Sequence, residues 1–135
     1  MPGRILLCFL IVAYSAATSA VERWRAFPTS ATNVLFSVDE ASLVRDGDVV
    51  KFRERIVYVV PEVYDAATGK GVKEKRVHRM MHCKDRTQAH LYATKIAEDG
   101  RSIEEIHQSE DKLQMTPIRP NSIADEELRW ACKVV

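Results

Sequence analysis

A period of two in the run VVKFRERIVYVV, from Val49 to Val60, is the feature that most constrains the fold. One set of alternate positions is largely apolar, and the set between them is basic. The apolar set contains Val50, Phe52, Ile56, Tyr58 and Val60, and the basic set contains Lys51, Arg53 and Arg55. This pattern is typical of an antiparallel strand with one buried and one solvated face. Val57 and Val59 break the alternation, which predicts coverage on both faces near the strand's end.

Shorter extended segments flank this strand. The segment Val34–Asp39 is rich in β-branched and aromatic residues, and the pair Asp46 and Gly47 is a turn signal. The proline and glycines of Pro61–Lys75 predict a long connection, with a short piece of strand around Val63 and Tyr64. Further strands are predicted at Val77–Cys83, Thr87–Ala97 and Ile103–His107. The alanines of the second of these favour a helix, but its alternation favours a strand.

A short helix is predicted at the C-terminus of the chain. Ser122, followed three residues later by Asp125, approximates a capping box in which both side chains accept hydrogen bonds from backbone N–H groups. Apolar residues then recur at helical spacing, at Ala124, Leu128, Ala131 and Val135. The predicted fold class is therefore α+β, an antiparallel sheet of about five or six strands with the C-terminal helix packed on it.

The first 20 residues have the pattern of a cleavable signal peptide. Arg4 precedes the apolar run Ile5–Tyr14, and small residues follow from Ser15 to Ala20. A bilayer span needs about 20 apolar residues, so this run predicts export and no membrane span. Cys8 lies inside the run and not after a small residue, which argues against lipid attachment. We expect a signal peptide at 1–20 and one domain at 21–135, in the periplasm, at the cell surface or secreted.

Two cysteines, Cys83 and Cys132, remain in the predicted mature chain. Disulfides persist in exported proteins, which favours an intramolecular bridge. A metal site and a reactive thiol are the alternatives, and neither cysteine has a nearby Cys or His at the spacing of a zinc site.

Net charge excludes one class of function. Only Arg4 of the 20 Lys and Arg residues lies in the signal peptide, so the mature chain balances 19 basic residues against 19 acidic ones. Nucleic-acid-binding domains are usually strongly basic, so no nucleic-acid partner is expected.

Candidate catalytic and metal-binding residues are few. His78 and His82 would share one strand face but lie about 13 Å apart, too far to chelate one ion directly, although His90 on a neighbouring strand could approach them. The sequence has no nucleophile motif, no phosphate-binding glycine loop and no HExxH pattern. We therefore predict no catalytic residues, no metal and no cofactor, and a protein that is not an enzyme.

A basic cluster in and after the long connection is the candidate binding site. It contains Lys70, Lys73, Lys75, Arg76 and Arg79, with His78 between them. Such cations could bind a sulfated glycan, an anionic lipopolysaccharide or an acidic protein surface. They could equally be solvated charges that protect a sheet edge from pairing with other chains. Trp24, Phe27 and Trp130 are interpreted as packing residues more readily than as binding anchors.

The order of several motifs resembles the surface-adhesin protein E family of Gram-negative bacteria over nearly all of the mature length. They are Trp24, FSVDEASLVRDGD at 36–48, HCKDRT at 82–87, Asp99 with Gly100, and PIRPNSIADEELRWAC at 117–132. The resemblance implies a sheet flanked by a helix, a disulfide between Cys83 and Cys132, adhesion to host extracellular-matrix proteins and some self-association. This chain differs from the family in one respect. The family's surface-exposed member is lipid-anchored, whereas the signal peptide here lacks a convincing lipid-attachment cysteine.

Two hypotheses of function follow. In the first, the chain is a non-enzymatic binding module for a host matrix protein or a polyanion such as a sulfated glycan, held through the basic cluster. In the second, it is a soluble periplasmic structural protein that contacts envelope components or itself, for example as a homodimer formed by strand addition.

Overall fold

The computed structural model describes residues 20–29, 33–61 and 65–133. Within these ranges the chain forms seven strands and one α-helix, which confirms the predicted α+β class. The strands are β1 (Trp24–Phe27), β2 (Val34–Asp46), β3 (Val49–Tyr58), β4 (Val72–His82), β5 (Thr87–Ala97), β6 (Ser102–His107) and β7 (Thr116–Pro117), and the helix is α1 (Ile123–Lys133). The predictions for 1–19, for Val63 and Tyr64, and for Val135 lie outside the described residues.

The sheet is an antiparallel meander in which each strand pairs with the next. Strands β1 to β6 follow one another in spatial order, and the two-residue β7 pairs with the beginning of β5 beyond the end of β6. The predicted five or six strands are thus six in continuous order plus one short addition. The predicted turn at Gly47 joins β2 to β3, and its φ of 57° is a left-handed conformation that glycine adopts at little cost.

Strand β4 begins earlier than the sequence predicts. The predicted connection Pro61–Lys75 ends at Gly71, because Val72 pairs with Ala97 and Glu74 pairs with both Val57 and Ile96. Cross-strand hydrogen bonding on both sides outweighs the weak local periodicity of this segment. Lys73 and Lys75 therefore lie on a strand and not in a loop.

One face of the sheet, the helix face, packs against α1. It is defined by Val50, Phe52 and Met81, which are fully buried with Leu128 and Ala131 of the helix. The Trp130 ring packs edge-on against Phe52 and Phe27, with centroids 5.4 and 6.1 Å apart. These contacts confirm packing roles for Phe27 and Trp130. The opposite face, defined by Arg53, Arg55, Arg76 and His78, is named the open face.

The helix is held in place at both ends. The Ser122 hydroxyl accepts a hydrogen bond from the Asp125 N–H at 3.2 Å, as the capping prediction requires. Arg86, in the turn between β4 and β5, forms an ion pair with the Asp125 carboxylate. In the last helical turn, Cys132 forms a disulfide with Cys83 just after β4, with Cα atoms 5.9 Å apart. The favoured intramolecular bridge is confirmed.

Three ionisable residues are buried where α1 meets the sheet. Glu54 of β3 and Glu127 of α1 have fully buried side chains, and Arg79 of β4 lies between them. The Arg79 Nε donates to the Glu54 carboxylate at 2.9 Å and lies 3.5 Å from the Glu127 carboxylate. Glu54 Oε1 and both Glu127 oxygens have no donor among the described residues. One guanidinium thus serves two buried carboxyl groups.

The two carboxyl groups cannot both be ionised without a large penalty. Burial, and secondarily the negative charge of Glu54, raises the pKa of Glu127 to about 9. At neutral pH, Glu127 is therefore protonated and able to donate a hydrogen bond to Glu54, the ion-pair partner of Arg79. Its proton is the donor available to Glu54 Oε1, which has no other donor among the described residues.

The disulfide is expected to contribute strongly to stability. Because it closes a loop over a separation of 49 residues, the double substitution Cys83→Ala and Cys132→Ala should lower the free energy of unfolding by about 4 kcal/mol. Urea denaturation followed by tryptophan fluorescence measures the change. A reductant should shift the wild-type midpoint and leave that of the double variant in place. Equal stabilities of the two oxidised proteins would contradict the prediction.

The Glu127 proton is expected to make stability depend on pH. The unfolded chain releases this proton near the ordinary value of 4.5, whereas the folded chain retains it until about pH 9. The folded state binds more protons in this window, so stability should fall as pH rises, by up to about 1.4 kcal/mol per pH unit. Urea denaturation at pH 5, 7 and 9 tests this. Glu127→Gln should remove the decline, whereas the neighbouring control Glu126→Gln should retain it. An identical decline in Glu127→Gln would disprove the role of this proton.

Candidate functional site

The open face carries two adjacent rows of polar and aromatic side chains that cross the whole sheet. The antiparallel register aligns one residue from each of β1 to β6 in every row, with side chains on the same face. The first row is Trp24, Asp39, Arg53, His78, Tyr92 and His107. The second row is Ala26, Ser37, Arg55, Arg76, Thr94 and Glu105. The basic residues predicted for the solvated face of β3 thus adjoin those of β4.

The three arginines of these rows are held differently. Arg53 forms an ion pair with the buried carboxylate of Asp39, which also accepts the backbone N–H groups of Arg23 and Ala41. Arg55 lies over the Trp24 ring at 4.4 Å and has no carboxylate partner within 4 Å among the described residues.

Arg76 lies directly opposite Arg55 and is bonded to Glu74 at 2.7 Å. Like charges facing each other across a sheet are destabilising. The pair therefore places two guanidinium groups side by side on the open face.

The end of the open face next to the β2–β3 and β4–β5 turns, here called the hairpin end, is covered by a later part of the chain. A short 3-10 helix (Glu110–Lys112) follows β6, and Glu110 forms an ion pair with Lys51 of β3. Leu113 and Met115 line a cavity with Met80, which is almost fully buried. The exposed part of the open face is therefore limited to the two polar rows and the sheet end beyond them.

Four residues of the predicted basic cluster lie around the start of β4. The Lys70 ammonium is 3.6 Å from the Asp99 carboxylate in the turn before β6. Lys73 donates to the backbone carbonyl of Val59 at 3.0 Å, and Lys75 lies 5.8 Å from the Tyr58 ring centroid. Arg76 projects from the open face with 60% of its side chain exposed. These residues form a basic rim at one end of the sheet, here called the β4 rim.

Arg79 departs from the predicted cluster. It is only 7% exposed, because it shares the helix face with Val77 and Met81 and is bonded to Glu54 and Gln88. The β4 rim is therefore Lys70, Lys73, Lys75 and Arg76 without Arg79.

The histidines lie on different faces of the sheet. His78 is on the open face, where burial and the charges of Lys51 and Arg53 lower its pKa. A register irregularity between His78 and Arg79 places His90 opposite Arg79, on the helix face. In the described part of the chain, no group of three His, Cys, Asp or Glu side chains could hold a metal ion.

Sequence reasoning missed Glu54, Glu127 and the position of Trp24. Glu54 occupies a buried-face position between Phe52 and Ile56, and Glu127 shares the helical face of Ala124 and Leu128. Both could have been detected as charged residues in otherwise apolar phases. The placement of Trp24 on the open face required the pairing of β1 with β2, which no local pattern indicates.

Comparison with protein-family models matches residues 24–133 to surface-adhesin protein E. A comparison with curated proteins found no significant match. None of the helices in the described ranges has the length and apolar character needed to cross a membrane. The matched range covers every strand and the helix. The chain belongs to the surface-adhesin protein E family, and this membership supports an adhesin-like binding role at an exported or surface location.

Proposed function

We propose that this protein is an exported, non-enzymatic binding module that attaches to an acidic host partner through the β4 rim. The partner is a matrix protein with an acidic surface or a sulfated glycan. The working unit is the domain at 21–135, freed from a signal peptide at 1–20.

The observation that carries the proposal is the lack of acidic partners for two lysines of the rim. Lys73 and Lys75 have no carboxylate within 4 Å among the described residues, although Lys95, the cross-strand partner of Lys75, is paired with Glu104 at 2.6 Å. Their charges therefore remain available to an external acidic group. Because such groups lie at the surface, their attraction for a polyanion is screened by salt.

Family membership supports the same role from a different direction. Surface adhesins act by attachment. Because α1 covers only the helix face of the sheet, other surfaces remain available to partners. Attachment then occurs at the sheet end that carries the β4 rim, opposite the hairpin end covered by the 3-10 helix.

The lysines of the β4 rim should dominate polyanion binding. The triple variant Lys70→Gln, Lys73→Gln and Lys75→Gln is expected to bind heparin and immobilised laminin roughly tenfold more weakly, because three exposed ion pairs of about 0.5 kcal/mol each together contribute about 1.5 kcal/mol. Surface plasmon resonance at several NaCl concentrations measures both the affinity and its salt dependence.

A matched control carries the same change of net charge elsewhere. Lys84, Lys112 and Lys133 are exposed and lie outside the β4 rim, so their replacement by glutamine should leave binding close to wild type. If both triple variants lose affinity equally, net charge alone governs binding. If neither loses affinity, the proposed surface is wrong.

A second candidate function, self-association or contact with an envelope protein, is favoured by the outer edge of β6. This edge is unpaired among the described residues, and Ile106 on the strand is 41% exposed. Unpaired edges accept an added strand from another chain.

Multi-angle light scattering should then show a dimer at high concentration. Ile106→Lys should shift the protein to monomer by adding a charge to the pairing strand, whereas Lys133→Gln should not. A wild-type monomer at millimolar concentration would exclude pairing of two copies along this edge.

A further inference from the structure

A groove of about 570 Å³ crosses the exposed part of the open face. Its walls include Trp24 from β1, Arg76 from β4, Tyr92 and Thr94 from β5, and Glu105 from β6. This volume lies within the range of small-molecule sites, about 300–1,000 Å³. The groove is separate from the lysines of the β4 rim and shares only Arg76 with it.

Thr94 supplies an unsatisfied polar group inside the groove. The residue is 6% exposed, and its Oγ1 has no hydrogen-bond partner among the described residues. A buried hydroxyl without a partner costs about 1–3 kcal/mol. Since a bound group could donate to this hydroxyl or accept from it, the groove contains a polar contact that the protein itself leaves unmade.

The remaining groups combine donors, acceptors and rings. Arg76 offers guanidinium donors, and Glu105 in the same cross-strand row offers carboxylate acceptors. Tyr92 packs against His107 with ring centroids 4.4 Å apart, which makes a continuous aromatic surface beside them. A polyanion would meet the carboxylates of Glu22 and Glu105 in this groove. A ligand rich in hydroxyl groups can use the donors and the acceptors together.

Recognition here depends on side chains alone. Strands β3, β4 and β5 are paired on both sides, so the groove floor offers no free backbone groups to an added peptide strand. A pyranose ring presents hydroxyls around its rim and an apolar C–H face that can pack against an aromatic ring. We propose that the open-face groove is a saccharide-binding site, with Thr94, Arg76 and Glu105 contacting sugar hydroxyls and Tyr92 contacting the ring.

The test uses the full mature protein and a glycan array of uncharged saccharides, including N-acetylated amino-sugar oligomers such as triacetylchitotriose. At least one saccharide is expected to bind, and NMR titration of the ¹⁵N-labelled protein with it should shift the amides of Tyr92, Thr94 and Arg76. Thr94→Val removes only the hydroxyl and should weaken binding about fivefold to tenfold while leaving the protein folded. Arg76→Gln should weaken binding by at least as much.

Controls separate this groove from the β4 rim. Thr87 lies on the same strand outside the groove, so the Thr87→Val variant should bind the saccharide as wild type does. The triple lysine variant should also bind it as wild type does. Binding that is lost with the lysines but unaffected by Thr94→Val would overturn the groove proposal and leave the β4 rim proposal intact. An array without any binder, or groove amides that respond only to acidic peptides, would also overturn it.

Discussion

The structure depends on burial of the sheet's helix face beneath α1. A six-strand meander has two faces, and only the one bearing Val50, Phe52 and Met81 is apolar enough to form a core. The helix supplies the facing layer through Leu128, Ala131 and Trp130. The disulfide links the end of this helix covalently to the residue after β4. Removing apolar surface from water is the main favourable term here, about 25 cal/mol per Å². The other features of the molecule follow from which face is covered.

Covering one face determines where charge can act. Arg79 faces the helix and forms ion pairs with the two buried glutamates, whereas Arg76, three residues earlier, faces solvent. The buried cluster is retained at an energetic cost, because two carboxyl groups share one guanidinium and a proton. The solvent-facing cations fall into two groups of different character. Those of the β4 rim include lysines that have no carboxylate within 4 Å in the described ranges. Those of the open face lie among carboxylates, hydroxyls and rings.

Much of the fold was predictable because its signals are local. Alternation indicated β3 and β5, a glycine turn joined β2 to β3, and capping and helical spacing indicated α1. The start of β4 was predicted too late, because residues 72–75 are held by pairing on both sides and not by their own pattern. The candidate site was less predictable. The sequence identified which cations belong to the site, but not which face of the sheet each one occupies. That depends on strand register, because a shift of one residue would move each side chain to the other face.

The sequence by itself determined the types of β2 to β6 and of α1, the α+β class, the family resemblance and the cysteines available for a bridge. Each of these depends on residues that are close in the chain or on their order. Only the tertiary structure decided that Arg79 is buried with Glu54 and Glu127 and that Trp24 joins Arg55 on the open face. It also placed Thr94 in a groove, where its hydroxyl has no hydrogen-bond partner in the part of the chain that the structure describes. The physical reason is that burial and pairing are set by strands and a helix brought together from distant positions, a relation that no local pattern contains.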